Sequence, residues 1–326
     1  MLIDPFGRKL DYLRVSVTDR CNLRCLYCMP PEGVAWKSHN DILTFEEIIR
    51  IVKLMSGLGI KYVKVTGGEP LLRRGTPSFL KELKTIPGIE KVTLTTNGLL
   101  LGAYLDDAQT AGQDFMPDGI NISLDALDSG QYKRITRCED AKPKIILPLI
   151  DRLLARQITV KINCVPVRNV NEQEIISFAA LAKDKNIVIR FIELMPIGSA
   201  SNLQPVSGTE VAAQIEKAFG ALSPFDGITS SGPALYYSLA GFTGKLGFIN
   251  AVTHGFCETC NRLRLTSDGL LKLCLSSNIS FDLKKLIRNG AGDNDLAKAI
   301  TELVAKKPRL HVFSEKPDFD MSEIGG

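Results

Sequence analysis

Between residues 11 and 195, short segments with two-residue alternation of apolar and polar positions are separated by longer stretches with helical spacing. The alternating segments are LRVSVT, YVKVTGG, KVTLTTN, INISLDA, TVKINCV and IVIRFIEL. Successive side chains of a strand point to opposite faces, so each segment presents two different surfaces. Val15 and Val17, Val63 and Val65, Val92 and Leu94, Ile122 and Leu124, and Val160 and Ile162 make one apolar set. Six strand and helix units in series predict a parallel sheet or barrel whose apolar face is covered by the helices. The first intervening helix is marked by Thr44 as cap, by Glu47 completing a capping box, and by Ile48, Ile51, Val52 and Met55 on one face. Gly57 and Gly59 end it.

The opposite strand positions are Arg14, Ser16 and Thr18; Lys64 and Thr66; Thr93, Thr95 and Asn97; Asn121, Ser123 and Asp125; and Lys161 and Asn163. The interior of an ordinary closed barrel is packed with Val, Ile and Leu. A set containing Arg and Lys cannot be packed that way, because an unpaired buried charge costs several kcal/mol. The repeated parity predicts a wet lumen for a large polar, anionic ligand. After the sixth strand, GSASNLQPVSG reads as a boundary, and residues 209–219 as a short helix. Beyond it, GFINAV and LRLTSDGLLKL read as short strands, the latter a hairpin turning at Ser267, Asp268 and Gly269. The expected division is a barrel over residues 1–208 and a smaller region over residues 209–326.

Composition narrows the class. The chain has 326 residues, 44% apolar and 23% charged, which suits a globular α/β protein with a sizeable core, and no apolar run reaches membrane-spanning length. The start of the chain lacks the pattern of a secretory signal, so a cytoplasmic protein is expected. A net charge of +4 is too small to argue for nucleic acid, though it suits an anionic substrate if the basic residues converge. The eight cysteines fall as two triplets, Cys21/Cys25/Cys28 and Cys257/Cys260/Cys274, with Cys138 and Cys164 isolated. Clustered thiols at such gaps in a reducing compartment bind zinc or iron-sulfur clusters more often than they pair as disulfides. Three thiolates hold three irons of a four-iron cluster and leave the fourth iron open, which favours catalysis over electron storage.

Cys21, Cys25 and Cys28, with Tyr27 inside the motif and Gly67, Gly68, Glu69 and Pro70 after the second strand, resemble the signature of radical S-adenosylmethionine enzymes. The resemblance implies a partly open (βα)6 barrel, with the open iron chelating S-adenosylmethionine and the Gly-Gly-Glu-Pro backbone contacting its amino group. Reductive cleavage of that molecule would give a 5'-deoxyadenosyl radical. The second triplet has the spacing C-x-x-C-x13-C, and with His254 it also reads as a Cys3His zinc site. Arg262 and Arg264 alternate onto one strand face beside it, and guanidinium forks suit phosphate oxygens.

Together, CETCNRLRLTSDG, LRVSVTDRC and the terminal MSEIGG are similar to the family of this superfamily that cyclises GTP at the start of molybdenum cofactor biosynthesis. That resemblance runs through nearly the whole chain and is weakest over residues 196–245. It implies a second four-iron cluster on Cys257, Cys260 and Cys274, with the C-terminal region closing the barrel. By position, Tyr27, Gly68, Ser123 and Met195 resemble contacts to S-adenosylmethionine, and Arg14, Lys64, Thr95, Lys161, Arg262 and Arg264 resemble contacts to GTP. Arg190 matches a basic position of the family, although its parity differs from that of Met195. Lys64 stands where some members place arginine, which keeps charge but loses the bidentate fork. Gly325 and Gly326 resemble a tail that inserts toward the active site; physics alone would read them as a frayed end.

The family further implies an electron donor such as flavodoxin or ferredoxin, delivery of product to cyclic pyranopterin monophosphate synthase, and a monomer or homodimer that binds neither nucleic acid nor membrane. Cys138 and Cys164 read as structural, and His39 and His311 carry no signal. Two other readings stay open: a two-cluster enzyme that modifies a peptide, and a noncatalytic zinc or ferredoxin-like protein.

Overall fold

A computed structural model describes residues 1–110, 116–227, 232–311 and 319–325. The six alternating segments form β1 (Tyr12–Ser16), β2 (Tyr62–Thr66), β3 (Lys91–Thr96), β4 (Gly119–Ser123), β5 (Thr159–Cys164) and β6 (Val188–Ile192). They lie side by side in chain order, all parallel. The ten apolar residues of the alternating pattern are each at most 1% exposed and belong to one continuous core. That core is sealed by helices α1 (Phe45–Gly57), α2 (Thr76–Thr85), α3 (Leu101–Thr110), α4 (Ser129–Thr136), α5 (Pro143–Ala155) and α6 (Ile175–Ala180).

Helix α1 begins as its sequence predicts. Glu47 N donates to Thr44 Oγ1 at 3.2 Å and Thr44 N donates to Glu47 Oε2 at 2.8 Å. The Glu47 carboxylate also accepts from Arg288 Nε at 2.8 Å, which fastens the far end of the chain to this helix.

After α7 (Gly208–Phe219) the chain adds β7 (Ser223–Pro224), β8 (Leu235–Ser238), β9 (Lys245–Ile249), β10 (Arg262–Leu265), β11 (Leu270–Lys272) and β12 (Ser280–Asp282), then α8 (Leu283–Arg288) and α9 (Asp293–Val304). These strands extend the same sheet from both ends, in the order β12-β11-β10-β1-β2-β3-β4-β5-β6-β9-β8-β7. β10 lies parallel to β1 and β9 parallel to β6, while β10 and β11 form the expected hairpin. No ladder joins β12 to β7 among the described residues, so the barrel is partly open, as expected. β7, β8, β12, α8 and α9 were not foreseen; the first three have only two to four residues, too few to show a period. No helix among the described residues is long and apolar enough to cross a membrane.

Replacing Thr44 by Ala leaves the N–H of Glu47 without its acceptor, and should lower the unfolding free energy of the metal-free protein by about 1 kcal/mol. Urea unfolding followed by circular dichroism measures it.

Candidate active site

The loop that follows β1 carries Cys21, Cys25 and Cys28, and its shape depends on two glycines after β2. Gly68 N donates to Thr18 O at 2.7 Å and Glu69 N donates to Arg20 O at 2.8 Å. A Cβ on Gly68 would stand 2.3 Å from Arg20 O, and one on Gly67 2.8 Å from Thr18 O, so the two backbones meet only because neither residue has a side chain. The other end of the cysteine loop is tied to α4, Arg24 N donating to Thr136 O and Leu26 N to Ile135 O, both at 2.9 Å.

Two buried carboxyls brace the same end of the sheet. Glu69 is fully buried and accepts from Leu71 N, Thr96 Oγ1 and Asn97 N at 2.7–3.0 Å, joining the end of β2 to that of β3. Its side chain therefore does not face the cavity, and only the preceding Gly67 and Gly68 line it. Asp125 accepts from Val165 N at 2.7 Å and from the Tyr27 hydroxyl, so Tyr27 fastens the cysteine loop to the end of β4. Burial pushes Glu69 up to about 7 and Asp125 up to about 6.

The second triplet is held by cations that no motif announces. Arg8 is buried against Asp4 at 2.5 Å and donates to Cys257 O at 2.5 Å, Pro308 O at 2.6 Å and Arg309 O at 2.9 Å. Lys307 Nζ donates to Arg262 O at 3.0 Å and to Leu273 O. Burial pushes the Cys260 thiol up, but Arg262 and Lys307 beside it bring it below its ordinary value. His254, whose position suggested a fourth ligand, is exposed and lies 3.2 Å from Thr253 Oγ1. His311, which carries no signal in the sequence, instead stands with Nδ1 2.8 Å from Cys257 Sγ.

Both triplets open into one cavity of about 1200 Å³. Eleven of the thirteen polar inner positions line it; Ser16 and Thr18 do not. Met195, just past the end of β6, lines it as well. The register aligns Lys272, Arg264, Arg14 and Lys64 in a single row across β11, β10, β1 and β2, and the last three of these line the cavity. Arg262, Lys161 and Arg190 add to the charge. Arg190 faces inward: its Nε donates to Asn163 Oδ1 at 2.9 Å and its Nη2 to Asn121 Oδ1 at 2.6 Å. The parity of Met195 does not constrain it, because Met195 lies beyond the strand. Burial lowers Lys64 and Arg264 well below their ordinary values and Arg14 to about 10, with neighbouring guanidinium groups adding to the effect.

None of the ion pairs among the described residues includes Lys64, Lys161, Arg190, Arg262 or Arg264. The carboxylates that line the cavity are bonded elsewhere: Asp118 to Lys84 at 2.6 Å, Asp125 as above, and Glu193 to Val252 N at 2.7 Å and Thr253 N at 2.9 Å.

The end of the chain returns to this cavity. Asp320 Oδ1 accepts from Ser199 N at 2.9 Å and Ser199 Oγ at 3.0 Å, and Met321 and Ile324 pack on Ile197. Gly325 is buried at φ +81°, where a Cβ would lie 2.9 Å from Ser16 Cβ, and its carbonyl accepts from Arg14 Nη2 at 3.0 Å. Gly326 lies outside the described residues.

The donor chemistry fits iron-sulfur groups. Burial pushes the Cys21 thiol up to about 12, and the Cys28 hydrogen bond with burial pushes Cys25 up, so thiolates at these two positions need a cationic centre beside them. Each triplet supplies three thiols to the cavity, the soft donors that iron-sulfur groups take.

Comparison with known proteins decides between the open readings. Residues 15–182 match the model of the radical SAM superfamily, and residues 187–313 that of the Molybdenum Cofactor Synthesis C family. The GTP 3',8-cyclase of Desulforamulus reducens is 41% identical over 331 residues, spanning 100% of both chains. That of Moorella thermoacetica is 42% identical over 328 residues, spanning 99% of both. The chain belongs to the GTP 3',8-cyclase family. Membership in the radical SAM superfamily implies a four-iron cluster and S-adenosylmethionine. Streptococcus suis SuiB bound to its precursor peptide SuiA superposes with a TM-score of 0.60 over 98% of this chain and 76% of that one. At 15% identity this likeness shows that the two chains share a fold and nothing further.

Gly68→Ala should displace the cysteine loop while leaving the core intact: iron bound at the first triplet after anaerobic reconstitution falls several-fold, with an unchanged far-ultraviolet spectrum. The two raised carboxyls give the stability a defined pH slope. The fold binds their protons more tightly than the unfolded chain does, so the stability they contribute is full below about pH 4 and is lost as pH rises through about 6 and 7. Urea midpoints of the metal-free protein should fall between pH 5 and 7.5, and Asp125→Asn should flatten that fall.

Proposed function

We propose that this protein converts GTP to (8S)-3',8-cyclo-7,8-dihydroguanosine 5'-triphosphate, the first step of molybdenum cofactor biosynthesis. The observation that supports the reading is that the buried Lys64, Arg190 and Arg264, which are in none of the ion pairs among the described residues, share one cavity with both cysteine triplets. Cys21, Cys25 and Cys28 hold the first cluster, and Cys257, Cys260 and Cys274 a second. When bound, the first cluster and S-adenosylmethionine would supply the radical chemistry that removes hydrogen from the ribose C3'; forming the C3'–C8 bond would leave an unpaired electron on the purine, and one electron and one proton from the reducing system would complete the 7,8-dihydro product.

The residues of the chain bind and orient. The Gly67–Gly68 backbone, Tyr27, Ser123 and Met195 seat S-adenosylmethionine, and Glu69 holds that backbone in place. Arg14, Lys64, Thr95, Lys161, Arg190, Arg262 and Arg264 receive GTP, with the guanidinium groups taking the triphosphate oxygens through charge-assisted bonds. A nucleoside triphosphate is a polyanion of the kind this row of cations attracts. The terminal Gly325 closes against Arg14, where glycine admits its backbone beside the substrate, and Gly326 belongs to the same tail. Residues 1–208 form the barrel with the first cluster, residues 209–326 carry the second cluster and the Gly-Gly tail, and both contribute cations to the GTP site. A small electron donor such as flavodoxin or ferredoxin reduces the first cluster, and the product passes to cyclic pyranopterin monophosphate synthase. The protein works in the cytoplasm as a monomer or homodimer.

Anaerobically reconstituted protein should release 5'-deoxyadenosine and a cyclised GTP product by mass spectrometry only when GTP is present. Absence of both with loaded clusters overturns the reading, and deoxyadenosine release that ignores GTP points to a different substrate. Arg262→Ala or Arg264→Ala removes a charge-assisted bond worth about 1.5–3 kcal/mol, so kcat/KM for GTP should fall about 10- to 100-fold.

A further inference from the structure

We infer that Lys307 is a positioning residue for the second thiolate triplet and the buried counter-charge of the iron group it would hold. This rests on the reading of Cys257, Cys260 and Cys274 as cluster ligands.

Lys307 follows α9 and is only 3% exposed. Its ammonium donates to the carbonyls of Arg262 and Leu273. The first of these is two residues after Cys260, and the second directly precedes Cys274. One side chain therefore spans the β10–β11 hairpin where both of these thiols leave it.

A staple of this kind does not need a charge, and Arg8 shows the contrast. Arg8 also grips the backbone of the second triplet, but its charge is matched by Asp4 at 2.5 Å. None of the ion pairs among the described residues includes Lys307, and the acidic groups acting on it are the thiols of Cys260 and Cys274. An ammonium buried with two carbonyls and no anion is costly to the fold. Thiolates bound to iron carry net negative charge, so the loaded triplet supplies the missing anion. The potential of such a cluster follows its net charge and its surroundings; a buried cation stabilises the more negative, reduced form and raises the potential.

The test compares Lys307→Met, which keeps the length of the stem, with Lys307→Arg, which keeps the charge. In the anaerobically reconstituted full chain, Lys307→Met should bind about half the iron of the wild type, or keep it with the second cluster's potential shifted negative in an EPR-monitored titration. The first cluster's signal is the internal reference, and Lys307→Arg should stay near wild type. In the metal-free protein the sign reverses: Lys307→Met should unfold at an equal or higher urea concentration, because an unmatched buried charge is gone. Wild-type iron content and potential in Lys307→Met would overturn the inference, as would an equal loss of stability in the metal-free and loaded proteins, the mark of a plain structural staple. If the wild type itself holds only about four irons, all lost on mutating Cys21, Cys25 and Cys28, the second-cluster reading falls, and this inference with it.

Discussion

Arg264, Arg14 and Lys64 stand side by side in one register row of a parallel sheet, with Lys272 continuing the row at its edge. Neighbouring strands are about 4.8 Å apart, and like charges placed directly opposite one another in a sheet repel. The apolar face on the other side of the same strands compensates, because its register cannot slip by one residue without turning the whole core into the lumen. The sheet thus holds its cations together against their own repulsion. A large polyanion relieves that repulsion, and the cavity shape follows from it: the lumen stays open because its walls cannot be packed.

The chemistry at the mouth of the lumen depends on close backbone approach rather than on side chains. Gly67 and Gly68 let the cysteine loop rest directly on the end of β2. Behind them the Glu69 carboxyl is turned away from the cavity and spends its hydrogen bonds on the neighbouring strand end. The Gly-Gly-Glu-Pro motif therefore has two physical jobs, a side-chain-free surface and a buried brace. Tyr27 acts in the same spirit, since its hydroxyl bonds Asp125 and so locks the thiolate loop to β4. A rigid loop matters because burial holds the Cys21 and Cys25 thiols above their ordinary values until a cationic group arrives.

The later part of the chain completes the site from both sides of the sheet. β10 brings Arg262 and Arg264 next to β1, and β9 brings Gly247 next to Arg190, where a Cβ would lie 3.1 Å from the arginine Cγ. Residues 319–325, clasped by Asp320 on Ser199, then deliver the Gly325 carbonyl to Arg14. One arginine near the start of the chain thus meets both the second arginine strand and the C-terminus.

Much of this was legible in the sequence, because alternation in the strands is a local property that burial on one face enforces. The six parallel strands, the capped first helix, the inward Arg14, Lys64 and Lys161, and both cysteine triplets follow from spacing alone. Helix α9 also carries a readable period in Leu296, Ile300, Leu303 and Val304. What spacing could not reveal is which distant residues meet. Arg8 lies 249 positions from the Cys257 carbonyl it holds, and His311 is 54 positions from the thiol beside it. Neither sits in a motif, and neither has a periodic signature. The sequence determined the faces of each element, since these depend on neighbours one to four residues away. Only the tertiary structure decided that two arginine-bearing strands would be adjacent and that Lys307 would be buried without a carboxylate, because those facts depend on strand order and chain return.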